Sequence, residues 1–160
     1  MYINTVNDRI EEKITNANFG HGRHHDIEIA NHELYTHPNR KYHYKVELKD
    51  LTADIYVMNA KPVTGIFENI TFAKDTFFDC SVFRNVIFKN CTFENIDIRW
   101  CQFDKCEFIN CKGTIKYARK ATWKKNCVFR DTKIAIDDID EYIYINSQRH
   151  DRYQVNVILQ

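Results

Sequence analysis

Residues 84–113 read RNVIF KNCTF ENIDI RWCQF DKCEF INCKG, six consecutive groups of five residues. The first five groups end in a large apolar side chain, at Phe88, Phe93, Ile98, Phe103 and Phe108. Two positions earlier in each group stands a smaller residue: valine, cysteine or isoleucine. A period of five fits neither the turn of an α-helix, about 3.6 residues, nor the two-residue alternation of a strand.

The same period continues upstream in GIF, ENITF and AKDTF, residues 65–77. These groups end at Phe67, Phe72 and Phe77. One extra residue then separates the upstream series from the downstream one, and we place it between Phe78 and Phe83. In this register Asp75 takes a small inward position, where it is the one polar exception.

Two inward residues separated by one outward residue suit a short extended segment, and the other two residues of each group can turn a corner. Four such sides close a square coil of about 20 residues that rises by roughly 4.7–4.9 Å. Residues about 20 apart should therefore stack. The expected columns are Phe83 with Phe103, Phe67 with Phe88 and Phe108, Phe72 with Phe93, and Phe77 with Ile98.

The units NVIF, NCTF and KCEF resemble the consensus of the pentapeptide-repeat family: a polar residue, a small residue, any residue and a large apolar one. The resemblance covers roughly residues 65–113. It implies an all-β-dominated fold, a right-handed quadrilateral β-helix or solenoid. It also implies protein–protein interaction without catalysis, as in the quinolone-resistance proteins, in which loops projecting from the β-helix touch a topoisomerase.

On that resemblance we expect a bacterial or phage inhibitor or modulator of a host enzyme that acts on DNA, such as a topoisomerase or nuclease. Some family members mimic duplex DNA with a negative surface. Residues 66–112 instead hold seven acidic and six basic side chains. Mimicry is therefore not favoured unless the acidic residues cluster on one face.

The repeat and its flanks divide the chain into three regions. We predict an N-terminal helix plus β-hairpin cap over 1–52, a β-helix over 53–139 with an excursion at about 114–126, and C-terminal β-strands over 140–160. The helix is predicted over 5–18 from apolar residues four apart, and the hairpin from turn residues at 37–40 between alternating segments. The C-terminal strands, predicted at 142–145 and 153–157, form either a cap or a homodimer interface.

Composition limits the partners. Lys plus Arg number 23 against 22 Asp plus Glu, a formal charge of +1, which predicts neither a strongly basic nucleic-acid binder nor an acidic tail. No apolar run reaches the roughly 18 residues of a membrane span, and the first residues lack the pattern of a secretory signal. We expect a soluble cytoplasmic protein, in the host cytoplasm if it is phage-encoded, with no membrane partner.

A basic segment at 115–125, IKYARKATWKK, interrupts the repeat and contains no acidic residue. Binding residues often lie on loops of rigid scaffolds, and Trp and Arg are enriched at interface hot spots. The candidate partner-binding residues are Lys116, Tyr117, Arg119, Lys120, Trp123, Lys124 and Lys125. A protein target is the leading interpretation. Direct nucleic-acid binding, with bases stacked on Trp123, is an alternative, as is a solvated basic loop or a short helix packed on the coil.

Four of the six cysteines share the small position of the repeat: Cys91, Cys101, Cys106 and Cys111. We expect them to be buried thiols that pack as small apolar residues, with Cys91 over Cys111 and Cys80 near Cys101. CxxC spacing is absent, and an intracellular setting disfavours disulfides.

The densest group of potential metal ligands lies at residues 21–26. Its candidate ligands are His21, His24, His25 and Asp26. A metal-dependent enzyme that uses them is a further alternative, although HExxH and other mechanism-bearing spacings are absent. We expect no catalytic residue, no cofactor and no metal.

Overall fold

The computed structural model describes residues 11–15, 25–26, 43–58 and 62–159. The strands are β1 (Glu11–Thr15), β2 (His25–Asp26), β3 (His43–Ala53), β4 (Ile55–Met58), β5 (Val63–Phe72), β6 (Phe77–Asp79), β7 (Val82–Lys89), β8 (Thr92–Asp97), β9 (Gln102–Asp104), β10 (Glu107–Ile109), β11 (Lys112–Tyr117), β12 (Thr122–Trp123), β13 (Val128–Arg130), β14 (Lys133–Ile136), β15 (Tyr142–Ile145) and β16 (Gln148–Asp151). A short helix, α1 (Arg152–Ile158), follows β16. Strands β1–β14 form one parallel sheet, which winds into a β-solenoid of about four turns. The predicted fold class is confirmed.

Between residues 80 and 110, each corner of the coil is made by a residue with a left-handed backbone. From residue 80 to residue 110, φ lies between 51° and 66° at every fifth position. These residues are Cys80, Asn85, Asn90, Asn95, Trp100, Lys105 and Asn110. Asparagine predominates because its short polar side chain tolerates this conformation, which costs most other residues roughly 1–2 kcal/mol. The corners therefore need no glycine, and a chain with only 4 glycines can build a solenoid.

Aromatic columns fill the interior. The stacked pairs are Phe67–Phe88, Phe88–Phe108, Phe108–Phe129, Phe72–Phe93 and Phe83–Phe103. Their ring centroids lie 4.8–5.3 Å apart and the rings are within 11° of parallel. Strand register aligns residues 20 or 21 positions apart, as in Phe88 with Phe108 and Phe67 with Phe88. The predicted stacking of these residues is confirmed.

The extra residue lies earlier in the chain than predicted. Phe78 is buried and Phe77 only half-buried. Phe77 aligns with Asp97, so it is Phe78 that reaches the column of Ile98. Thr76 fills the small inward position, while Asp75, with φ at 75°, turns the corner in solvent. The prediction that Phe77 and Asp75 point inward is wrong. The extra residue lies at the corner formed by Asp75, and this placement keeps the Asp75 carboxylate out of the core, where its burial would be costly.

The small inward residues form columns of their own, and most donate a hydrogen bond to a carbonyl on the preceding turn. The donor and acceptor pairs are Ser81–Val57, Cys91–Phe67, Cys101–Phe78, Cys106–Phe83, Cys111–Phe88, Cys127–Phe103 and Thr132–Phe108, at 2.7–3.3 Å. Cysteine therefore serves as a small apolar filler that also supplies a weak donor. The N–H of Lys112 donates to the carbonyl of Cys91, which confirms the stacking of Cys91 and Cys111. Ser81, rather than Cys80, aligns with Cys101.

Residues 114–126 stay within the solenoid, so the predicted excursion is wrong. Ala118 and Trp123 are buried at large inward positions, and β11 continues the parallel ladder through Gly113 with a local register shift. A Cβ on Gly113 would lie 2.1 Å from the Phe93 carbonyl oxygen, so only glycine permits this close approach. Because Gly113 and Ala118 stand where other groups have a large apolar residue, the five-residue period is not visible in this part of the sequence.

The described N-terminal residues differ from the helix and hairpin predicted there. Residues 11–15 form β1, which is parallel to β3. Strand β3 pairs with β1 along one edge and with β5 along the other, so residues 44–47 have no edge left for an antiparallel partner. The predicted helix is therefore wrong at residues 11–15, and the predicted hairpin is wrong at residues 44–47. The turn at 37–40 lies outside the described residues.

The C-terminal strand prediction is confirmed for 142–145, but 153–157 lie in α1 rather than in a strand. Strands β15 and β16 form an antiparallel hairpin. Its two-residue turn, Asn146 and Ser147, has φ of 50° and 71°, as a type I′ turn requires.

Asparagine side chains cover part of the last turn of the solenoid. The Asn146 amide accepts a hydrogen bond from the Phe129 N–H and donates one to the Phe129 carbonyl, at 2.7 and 2.9 Å. The side-chain oxygen of Asn156 accepts from the Ile136 N–H at 2.7 Å. These bonds satisfy backbone groups that a further strand would otherwise pair with.

We predict that Phe88→Asp prevents cooperative folding, because a carboxylate would lie between the rings of Phe67 and Phe108. The cost of an unpaired buried charge exceeds the roughly 5–15 kcal/mol of a typical domain's stability. Thermal unfolding followed by circular dichroism checks this, with Phe88→Leu as the control that should still unfold cooperatively. A Phe88→Asp variant as stable as the wild type would contradict the column.

Candidate binding surface

The predicted partner-binding residues wind around the solenoid instead of forming one loop. Lys116 and Tyr117 lie beside Arg99, whose guanidinium carbon is 5.4 Å from the Tyr117 ring centroid. Three others form ion pairs, Arg119–Asp138 at 3.1 Å, Lys120–Asp140 at 3.7 Å and Lys124–Asp104 at 3.7 Å. Lys125 lies over the Tyr144 ring at 5.5 Å. The seven residues therefore do not make a single basic patch.

Trp123 does not present its ring at the surface. It is 2% exposed and stacks on Phe103 with centroids 5.0 Å apart. Within the described residues its Nε1–H has no hydrogen-bond partner. The prediction that Trp123 stacks on a base or anchors a partner is wrong, because Trp123 continues the inward phase of the repeat.

The exposed tryptophan is Trp100, which sequence reasoning missed. Its side chain is 59% exposed, and its φ of 66° places it at a corner position. The second residue is asparagine in four of the six groups from 84 to 113, and RWCQF departs from that pattern. A bulky aromatic neither favours this backbone nor fills the core here. Trp100 therefore costs stability at its position, a feature found at functional sites.

Trp100 borders a groove of about 600 Å³ that crosses successive turns on the side formed by β9 and β12. Its N–H donates to the Arg119 carbonyl at 3.0 Å, and the N–H of Lys120 donates to the Asp140 carboxylate at 3.0 Å. Trp100, Lys120 and Asp140 thus descend one corner of the coil. Gln102, Thr122 and Lys124 also line the groove, together with Glu141, Tyr142 and Tyr144.

Two tyrosines that line the groove, Tyr142 and Tyr144, are held by contacts with cations and with each other. The guanidinium carbon of Arg149 lies 3.9 Å from the Tyr142 ring centroid, and Tyr142 meets Tyr144 edge to face at 5.6 Å. Tyr142 remains 37% exposed. Such cation–π and aromatic contacts restrict the orientation of the two tyrosine rings.

The cations of the groove are largely compensated. Lys120 pairs with Asp140, and Asp104 pairs with both Lys124 and Arg84, the latter at 3.3 Å. A hydrogen bond from the Asn126 amide, assisted by the two cations, lowers the pKa of Asp104. Glu141 makes no salt bridge within the described part of the chain. The charges of the groove therefore nearly cancel, and Glu141 is a lining carboxylate without a salt bridge in the described part of the chain.

Two of the buried thiols, Cys91 and Cys106, lack the lowered pKa of reactive cysteines. All six cysteines lie in the described part of the chain as thiols rather than disulfides. Contact with the Cys111 thiol, together with burial, raises the pKa of Cys91, and contact with Cys127 and burial do the same for Cys106. Thiols of this kind stay protonated near neutral pH, which makes them inert as nucleophiles.

The histidine cluster is only partly described. His25 and Asp26 form β2, which runs parallel to β4, whereas His21 and His24 lie outside the described residues. Among the residues that are described, no group of three or more His, Cys, Asp or Glu side chains is placed to hold a metal. A metal site at residues 21–26 stays an untested alternative. Over the same residues, no helix is long and apolar enough to cross a membrane.

Comparison of the chain with protein-family models, with curated protein sequences and with solved structures gave no match. The parallel ladders and the aromatic columns are therefore what identifies the solenoid.

We predict that Trp100→Asn stabilises the protein by about 1 kcal/mol, because asparagine tolerates the left-handed corner better than tryptophan. The midpoint of guanidinium unfolding should rise, and the slope should stay unchanged. Trp100→Ala is the control and should gain little, since alanine has no such preference. An Asn variant less stable than the wild type would show that the Trp100 side chain itself stabilises the corner.

We predict that Asn126→Ala raises the pKa of Asp104 toward the ordinary aspartate range, because the amide no longer bonds the carboxylate. A depressed folded-state pKa contributes stability above the unfolded-state value, about 3.9, and that stability is lost as pH falls through the folded-state pKa. The variant should therefore lose less stability than the wild type on acidification. NMR titration of the Asp104 carboxyl measures the shift, and an unchanged pKa would rule out the amide as its main cause.

Proposed function

We propose that this chain is a non-catalytic protein-binding module whose binding surface is the Trp100 groove. One observation carries the proposal: Trp100 is largely exposed at a corner whose backbone favours asparagine. Trp, Tyr and Arg dominate interface hot spots, and Tyr142, which contacts Arg149, lines the same groove as Trp100. A partner that contacts Trp100 would explain why an exposed residue that lowers the stability of the fold is present at this corner.

We also infer that the solenoid is of the pentapeptide-repeat type. The five-residue period, the left-handed corners at every fifth residue and the alternation of small and large inward residues support this. Family membership would make inhibition or modulation of a DNA-acting bacterial enzyme the expected role, in a cytoplasmic setting. A rigid rod loses little conformational freedom on binding, which suits an inhibitor.

Inhibition by mimicry of duplex DNA is less well supported. The described acidic residues are interspersed with lysine and arginine residues. Glu68 pairs with Lys49 at 3.1 Å and lies 3.9 Å from Lys89, and Asp97 pairs with Arg99 at 2.7 Å. Such pairing weakens any continuous negative field. Direct nucleic-acid binding was predicted to use Trp123 for base stacking, and the buried Trp123 ring cannot stack on a base. Dimerisation through the C-terminal strands and metal-dependent catalysis stay predictions.

A pull-down from bacterial lysate tests the proposed surface. The tagged full chain, treated with nuclease, is compared with Trp100→Asn and with Tyr117→Ala, which removes an exposed aromatic outside the groove. We expect the wild type and Tyr117→Ala to retain the same protein, identified by mass spectrometry, and Trp100→Asn to lose it. Because Trp100→Asn should be the more stable variant, unfolding cannot account for the loss.

Two results would contradict the surface. Equal capture by Trp100→Asn would remove Trp100 from the interface, and loss in Tyr117→Ala alone would move the interface to the Arg99 side. Recovery of nucleic acid only, abolished by nuclease, would replace protein binding with the nucleic-acid alternative, whose affinity should fall steeply with added salt.

A further inference from the structure

We propose that Cys91 and Cys111 form a two-coordinate site for a soft monovalent d10 cation such as Cu(I). The site shares no lining residue with the Trp100 groove, so it adds to the proposed function and does not depend on it. Four features of the molecule support it: the alignment of the two thiols, their burial, their place in the wall of a surface groove, and the lysines that line the same groove.

The two thiols are stacked one turn apart in the same orientation. Strands β8 and β11 pair in parallel, and the residues that precede them, Cys91 and Cys111, are aligned. Each Sγ–H donates to a phenylalanine carbonyl on the preceding turn, Cys91 to Phe67 at 3.3 Å and Cys111 to Phe88 at 3.2 Å. Because the two side chains share one orientation, their sulfur atoms are separated by about one strand spacing, roughly 4.7–4.9 Å.

That separation fits a linear sulfur–metal–sulfur unit. A thiolate bond to the d10 ion zinc is about 2.3 Å long, so two such bonds in line span about 4.6 Å. Zinc itself takes four ligands, and within the described residues no group of three or more His, Cys, Asp or Glu side chains is placed to hold a metal. Cu(I) is soft, binds thiolates and accepts two of them in a line. The pair therefore has the ligand number and spacing of a Cu(I) site rather than of a zinc site.

The thiol pair borders a groove that is open to solvent. Cys91 and Cys111 line a cavity of about 610 Å³ beside the corner residues Asn90 and Asn110. The two cysteines are themselves 1% and 2% exposed. The groove thus leads from solvent to a pair of sulfur atoms within the apolar core. Such a site favours a soft cation that bonds to sulfur over a hard one that keeps its water ligands.

The charges around the groove suit an anionic metal complex. Binding releases both thiol protons to solvent as two metal–sulfur bonds form, so a monovalent cation gives a complex with one net negative charge. Lys112 and Lys133 are exposed, aligned neighbours on β11 and β14 that line the groove. Like charges placed directly opposite each other destabilise a sheet, and a nearby anion relieves that repulsion. Together with Asp131, which also lines the groove, the two lysines give a net charge of +1.

A second pair of stacked thiols provides an internal comparison. Cys106 and Cys127 precede the paired strands β10 and β13 and donate to the carbonyls of Phe83 and Phe103, each at 3.2 Å. Their spacing and orientation therefore match those of the first pair. Neither residue lies in the lining of the groove. If access and the two lysines matter, only the Cys91 pair takes up the cation.

The test is the anaerobic transfer of Cu(I) from the coloured chelator bicinchoninate to the full chain, followed by the loss of colour. Cys91→Ser and Cys111→Ser each remove one ligand, and Cys106→Ser is the matched control. Serine fits this position of the repeat, because Ser81 occupies it and donates to the Val57 carbonyl at 3.1 Å. Circular dichroism checks that the variants are folded.

We expect the wild type and Cys106→Ser to take up one Cu(I) per chain, and Cys91→Ser and Cys111→Ser to lose this uptake. Excess Zn²⁺ should not displace the ion. X-ray absorption at the copper edge of the loaded wild type should show two sulfur neighbours. Lys112→Gln should weaken binding about threefold, as for an exposed ion pair, and Lys105→Gln, which changes a lysine outside the groove, should not.

Several results would overturn the site. They are absence of uptake by the wild type, uptake by Cys91→Ser equal to that of the wild type, and equal loss of uptake in Cys106→Ser. Three or more metal neighbours in the absorption spectrum would also exclude the two-coordinate geometry, and that measurement requires no variant. None of these results would bear on the capture of a protein through Trp100.

Discussion

The left-handed residue that ends each side of the coil between residues 80 and 110 is the constraint on which the rest of the structure depends. It turns the chain after every five residues, so each side has room for only two inward side chains, one small and one large. Four turned sides return the chain to its starting face, and residues 20 or 21 apart then align in parallel ladders. Where the chain carries an extra residue, near Asp75, the corner absorbs it and the columns continue.

The same constraint separates structural residues from functional ones. Inward positions are filled by phenylalanine, isoleucine and small donors such as Cys111 and Thr132, whose hydrogen bonds to the preceding turn leave the thiols and hydroxyls satisfied. Corner positions favour asparagine on conformational grounds alone. Trp100 meets neither requirement, and the groove beside it combines aromatic walls with compensated charges. Folding does not explain its presence, and this is the reason for proposing a binding role for Trp100.

The five-residue period was sufficient to predict the fold class and most of the columns, because a large apolar residue ends five consecutive groups and a smaller one stands two positions before it. It could not decide between adjacent aromatics such as Phe77 and Phe78, since only the position of the corner determines which one turns inward. It also failed where inward positions hold Gly113 and Ala118, which carry too little apolar surface to be noticed. For that reason Trp123 was predicted at the surface although it lies in the core. Trp100 was not singled out, because its unusual position is defined by a backbone angle that the sequence alone does not supply.

The solenoid requires that residues about one coil apart are hydrogen-bonded neighbours in a parallel ladder. NMR couplings transmitted through hydrogen bonds test it directly, because they identify which amide donates to which carbonyl. We predict a coupling between the Asn90 amide and the Ile109 carbonyl, and another between the Asn110 amide and the Arg130 carbonyl. Couplings from these amides to residues four positions earlier, or to antiparallel partners, would contradict the solenoid and every conclusion drawn from it.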